Sequence, residues 1–274
     1  MRSRIKIIVA THKKYEMPKD PMYFPLHVGA EGKLDKNGNA LDFGYQKDNE
    51  GENISAKNFC FGSQTGLYWG WKHIDADYIG LVYYRRHFLG KKMSRGNEMD
   101  CILTEKQLLP MLDTYMVFVP QKRRYFIESI YSHYSHTMNG GKEQLDTVRG
   151  ILNERHPEYL NAFDMVMKHT WAYMFNLMIL RKDLMDSYCA WLFDVLFELE
   201  RRIDTTGMSA FDKRFCGRVS ERLFNVWLQR QIELGIVDEK KIKELPYMEE
   251  VKWSTKVKSF VEAKLFHKKY GASF

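Results

Sequence analysis

Tyr78-Ile79-Gly80-Leu81-Val82-Tyr83-Tyr84-Arg85-Arg86-His87-Phe88 is the stretch on which the reading of this 274-residue chain turns. An unbroken run of apolar and aromatic residues, without polar alternation, is the pattern of a strand buried on both faces, as in parallel sheets. Two adjacent guanidiniums follow at its carboxyl end, where ligands of open α/β sheets collect. Arginine stays charged in a partly dry cleft, and its planar fork matches phosphate oxygens bidentately. Arg85 and Arg86 are therefore candidate ligands of a diphosphate, the alternative being that they pair with surface carboxylates.

Working outward, Ile5 to Ala10 is a second buried run and reads as the first strand. Residues 16 to 53 are rich in Gly, Pro, Asn and Asp, show no sustained period and read as one long loop, which in a compact domain is usually functional. Ser55 is placed to cap a helix that carries Gln64, Leu67, Tyr68, Trp71 and Ile74 on one face. Tyr115 to Pro120 is a third strand, ended by proline and the basic Lys122-Arg123-Arg124. From Ile130 onward helical periodicity dominates, over Glu143 to Arg155, Tyr159 to His169, Leu184 to Ile203 and Ser220 to Leu234; Trp171 to Leu180 is the one segment there with a strand's character. The expected class is α/β, a mostly parallel sheet flanked by helices with a largely helical C-terminal half. One domain over 1–250 is expected, its first half (1–125) holding the nucleotide and its second (126–250) the acceptor, followed by a basic amphipathic tail over 251–274.

Forty-two Lys and Arg against 35 Asp and Glu give a net charge of +7, which favours anionic partners: a nucleotide diphosphate, an anionic membrane face or nucleic acid. Basic residues are scattered and mixed with acids, apart from Lys122 to Arg124 and the tail, which argues against nucleic acid. Cys60, Cys101, Cys189 and Cys216 lie far apart, without the spacing of a zinc site or a disulfide frame. No run approaches the roughly 20 apolar residues of a membrane span, and the first apolar run is too short for a signal sequence. A cytoplasmic protein is expected, peripheral to the membrane through tail residues such as Lys256, Phe260, Lys264 and Leu265.

Other candidates follow from position. Ala10, Thr11, His12 and Tyr15 lie at the carboxyl end of the first strand, where hydroxyl, imidazole and aromatic ring serve a nucleotide; an ordinary turn is the plainer reading. Asn53 and Lys57, with Asp48-Asn49, stand near a helix start that attracts oxyanions, with capping and turn formation as the alternative. Tyr83 and Tyr84 flank the arginines. Glu128, His133, His136 and Glu221 offer acid–base groups beside helices, of which His136 and Glu221 are the catalytic candidates. Asp75-Ala76-Asp77 has the spacing of a metal-chelating pair but precedes its strand, so it belongs to a solvated turn at the opposite edge. Trp171, Tyr173 and Phe175 read as core.

Several segments together resemble one family, the uncharacterised-domain proteins of bacterial capsular polysaccharide loci regarded as glycosyltransferases of the GT-A type. They are Ile7 to Tyr15, Asp48-Asn49 with Asn53-Ile54-Ser55 and Asn58, Thr65 to Trp69 with Trp71-Lys72, Asp77 to Leu81 through Arg85-Arg86, Phe175-Asn176, Tyr188 to Phe193, and Glu221-Arg222-Leu223. The chain differs from that pattern at Tyr83 and His87 and has Gln64 where an acid is common. The resemblance implies a GT-A-like sheet, a UDP-sugar donor (galactofuranose or galactose first), no organic cofactor, and an oligosaccharide acceptor on a polyprenyl diphosphate. It also implies synthesis of capsule, exopolysaccharide or O-antigen. Mn²⁺ or Mg²⁺ is not favoured, since arginines stand where such enzymes carry Asp-x-Asp. The rival class is a non-catalytic basic module for nucleic acid or anionic glycan.

Overall fold

The structure is a computed structural model and describes residues 4–91 and 98–248. The chain runs β1 (Ile5–Thr11), β2 (Tyr23–His27), β3 (Gln46–Lys47), α1 (Asn58–Phe61), α2 (Gln64–His73), β4 (Tyr78–Tyr83), α3 (Glu105–Leu108), β5 (Val117–Pro120) and β6 (Arg123–Arg124). It continues through α4 (Ile130–Thr137), α5 (Gly141–Arg155), α6 (Leu160–Lys168), β7 (Trp171–Ala172), β8 (Met178–Arg181), α7 (Lys182–Arg202), α8 (Phe215–Glu233) and β9 (Ile242–Leu245). The expected tail over 251–274 lies outside the described residues.

A seven-stranded sheet has the order β3-β2-β1-β4-β8-β5-β9, and β8 alone runs against the others. The α/β expectation holds: a mostly parallel sheet flanked by helices, its second half largely helical. Ile7, Ile8 and Val9 of β1 and Ile79, Leu81 and Val82 of β4 are wholly buried, as runs covered on both faces must be. Gly80 sits where β4 meets β8; a Cβ there would come within 3.0 Å of the Met178 carbonyl oxygen, so the close approach of the two strands requires glycine.

The long loop expected over 16–53 instead contains β2 and β3. Pro25 hid β2, because proline cannot donate to a ladder. Ile7 N donates to the Met22 carbonyl and Val28 N to that of Thr11, so even-numbered residues of β2 bond to β1 and the Pro25 nitrogen faces away. On that outer side β3 pairs only with Leu26 and His27, so no bond is lost. Ser55 does not cap a helix: it is buried, and its hydroxyl donates to Asp48 at 2.5 Å. The helix expected from Ser55 breaks at Gly62, whose φ of 57° separates α1 from α2. Strand β9, unforeseen, pairs with β5 and forms one edge of the sheet.

Candidate functional site

The chain leaves β1 on one side for β2 and β3 and returns on the other side for β4, so the carboxyl ends of β1 and β4 flank a topological switch point, the usual place for a crevice. Because β8 is antiparallel, its amino-terminal approach, Met174-Phe175-Asn176, arrives at the same edge. A cleft of about 580 Å³ opens there.

Beyond β4 the chain turns at once. Tyr83 and Arg86 exchange both backbone hydrogen bonds, at 3.1 and 3.0 Å, so Tyr84 and Arg85 form a two-residue turn that presents both guanidiniums to the cleft. His12 and Tyr15 each meet the Tyr84 ring edge-on, with centroids 5.3 Å apart. The Arg86 guanidinium lies 4.3 Å over the Phe175 ring, and that of Arg123 lies 5.9 Å from it. Phe175 and Asn176 both have positive φ, 71° and 52°, a conformation costly for an aromatic residue and typically kept where a ligand site needs it. Asn176 holds the bend by donating to the Gly217 carbonyl at 3.1 Å and accepting from Ser220. The core role expected for Phe175 is therefore incomplete: a buried ring that faces the cleft carries two cations, which its π face stabilises.

The far wall comes from the start of α8, where Arg214, Arg218 and Arg222 recur every fourth residue, with Arg123 on β6 beside them. Six arginines in all (Arg85, Arg86, Arg123, Arg214, Arg218 and Arg222) and Lys33 line the cleft, and Glu221 is the only carboxylate among the described lining residues. Arg85, Arg123 and Arg214 have no ion-pair partner among the described residues. Cations at a helix N-terminus oppose its dipole, and an anion between them reverses the sign. His12 shows the field: burial first, then Arg214, Lys13 and Arg85, hold its pKa below the ordinary value. The Tyr83 hydroxyl bonds Ser63 at 2.8 Å, and burial pushes its pKa up to about 12.

One wall carries an imidazole backed by a carboxylate. His133 Nδ1 lies 2.9 Å from Glu128 Oε2, both side chains are more than nine-tenths buried, and His133 lines the cleft. Burial holds the His133 pKa near 4 despite Glu128, with Arg123 and Arg222 adding to the depression, so the ring is neutral at pH 7. His136 is one turn on, its Nδ1 2.7 Å from the Ser132 carbonyl and its Nε2 3.5 Å from Glu128 Oε1.

Of the residues expected from sequence, Ala10, His12, Tyr83, Tyr84, Arg85, Arg86 and Glu221 line the cleft. Thr11 and Tyr15 stand behind it: the Thr11 hydroxyl is spent on the Lys13 backbone, and Tyr15 buttresses Tyr84. Asn53 and Lys57 lie elsewhere. Asn53 folds its own turn through Gly51 and Ser55, and Lys57 pairs with Glu200 at 2.7 Å beside a separate shallow hollow. His136 does not line the cleft, whereas His133, one turn earlier, does. Asp75 and Asp77 are held by Arg4 at the opposite edge, in the exposed turn expected of them. Gln64 is wholly buried and does not line the cleft either. Arg214, Arg218 and Arg222 went unread, although basic residues recurring at i+4 along one helix are a visible signal.

The apo structure of WbbM, a bifunctional glycosyltransferase, matches with a TM-score of 0.80 and 27% identity over 89% of this chain. The chain spans 45% of the length of that protein. No curated protein matches the chain. The profile of a domain of unknown function, DUF4422, matches residues 6–232. The chain thus belongs to the DUF4422 family.

Proposed function

We propose that the chain is a glycosyltransferase whose cleft holds the diphosphate of a nucleotide sugar and transfers the sugar to an acceptor hydroxyl. The observation that carries this is the charge imbalance of one cleft: among the described residues, six arginines and a lysine against one carboxylate, at the switch point of an α/β sheet. The likeness to WbbM supports the same reading. A basic module for nucleic acid is disfavoured by the same geometry, because these cations converge in a cleft instead of forming a stripe on an outer face.

In the transfer, the bond from the anomeric carbon to the β-phosphate oxygen breaks as that carbon bonds the acceptor oxygen. The leaving diphosphate gains charge, and preorganised guanidiniums stabilise it. Arg85 and Arg86 stand where an Asp-x-Asp pair would otherwise hold a divalent ion, and here they supply that positive charge themselves. The acceptor's proton passes to His133, whose other nitrogen is held by Glu128; Glu221, which Arg222 engages at 2.8 Å, is the alternative acceptor of that proton. UDP-galactofuranose or UDP-galactose as donor, with a lipid-linked oligosaccharide of a surface polysaccharide as acceptor, is the specific form that the family resemblance supports.

The test is product mass spectrometry with a panel of UDP-sugars and a synthetic lipid-linked acceptor, with and without EDTA. Transfer that survives EDTA but is lost in Arg85→Ala or Arg86→Ala is expected; strict metal dependence overturns the arginine role. His133→Asn should lower kcat by about two orders of magnitude with little change in KM. An unaltered kcat would move the base to Glu221.

A further inference from the structure

Tyr125 to Glu128 form a tight turn, closed by the Glu128 amide donating to the Tyr125 carbonyl at 3.3 Å. Its ends are fixed inside the protein. Tyr125 is buried, lines the cleft and donates its amide to Thr170 at 2.7 Å, while Glu128 points inward to His133. Its two central residues, Phe126 and Ile127, point out, 77% and 75% exposed, more than any other large hydrophobic residue described. Phe126 has a φ of 58°, a conformation that tight turns normally give to Gly, Asn or Asp. An exposed phenyl ring in a left-handed turn lowers the stability of the fold through its backbone and returns nothing by packing.

Lys122, Arg123 and Arg124 come directly before this tip. Arg124 is exposed and has no carboxylate partner among the described residues, and Arg123 turns into the cleft. Glu128 is turned inward, and Lys122 is engaged by Glu244, at 3.6 Å, and by the Trp171 ring, 4.0 Å beneath it, which leaves Arg124 as the outward cation. The result is an apolar wedge with a basic collar at the mouth of the cleft. Two side chains are far too little area for a stable protein partner, which needs on the order of 1,000 Å². They suffice for a bilayer, whose interior accepts apolar side chains while its anionic headgroups meet Arg124.

We propose that the Phe126–Ile127 turn, with Arg124, docks the protein on an anionic membrane surface and sets the mouth of the cleft against it. The inference stands on the turn alone and is read without sugar transfer. The full chain is floated with vesicles of phosphatidylcholine alone and with vesicles containing phosphatidylglycerol. Binding to the anionic vesicles only is expected, falling roughly tenfold or more in Phe126→Gly/Ile127→Ser, from the apolar area lost. That variant should melt at the same temperature or higher, since glycine relieves the left-handed backbone. Wild-type protein that ignores anionic vesicles, or a double variant that binds them as well as wild type, overturns the proposal.

Discussion

Asp48 accepts hydrogen bonds from the amides of Gly29 and Ala30, at 2.8 and 3.1 Å, and from the hydroxyls of Ser55 and Thr65, at 2.5 and 2.6 Å. One buried carboxylate thus ties the β2 exit, the run before α1 and the start of α2 together. In sequence it looked like part of a ligand-facing Asn/Asp cluster, because its partners lie 17 to 19 residues away as well as nearby. Asp48→Ala should lower the unfolding free energy by about 3–5 kcal/mol in urea titrations, since it strands several buried donors. His87 is a second case. Burial holds its pKa at about 4, while the unfolded chain keeps 6.5. Below pH 6.5 the unfolded chain takes up a proton that the folded one refuses, so the stabilisation is complete above pH 6.5 and is lost as pH falls toward 4. The loss amounts to about 3 kcal/mol at most, and His133, shifted the same way, acts in the same window. Urea midpoints measured from pH 7.5 to 4.5 should fall less steeply for His87→Gln than for wild type.

At the level of elements, α8 serves both the packing and one wall of the cleft. Gly217 lets it approach α1 so closely that a Cβ there would lie 2.9 Å from the Phe61 carbonyl oxygen. Gly217→Val should push α8 from α1, costing about 1–3 kcal/mol and weakening nucleotide binding together, as seen by thermal shift with and without UDP. Arg214→Ala, on the exposed rim of the same wall, should instead leave the melting temperature of the free protein unchanged or raise it, and cut the UDP-induced shift. Strands β1, β4 and β5 and the long helices were legible because continuous apolar runs and the 3.6-residue period are local signals. Strand β2 was hidden by a proline whose harmlessness depends on where β3 ends. The direction of β8 was hidden too, because no local pattern distinguishes a parallel from an antiparallel strand. Half of the site followed: Arg85 and Arg86 could be read from the end of β4, whereas Phe175 reaches the cleft only because β8 runs backward.

For the molecule as a whole, the cleft gathers charge from segments as distant as Lys33 and Arg222, a convergence that only the assembled fold brings about. Composition announced the excess of +7 but not its address. This crowding makes the folded state a store of like-charge repulsion that bridging multivalent anions discharge. The protein should therefore melt several degrees higher in pyrophosphate or sulfate than in sodium chloride of equal ionic strength, a difference that disappears in Arg85→Ala/Arg214→Ala. If the cleft holds a nucleotide diphosphate as proposed, durability in a cell would rise and fall with the supply of that anion.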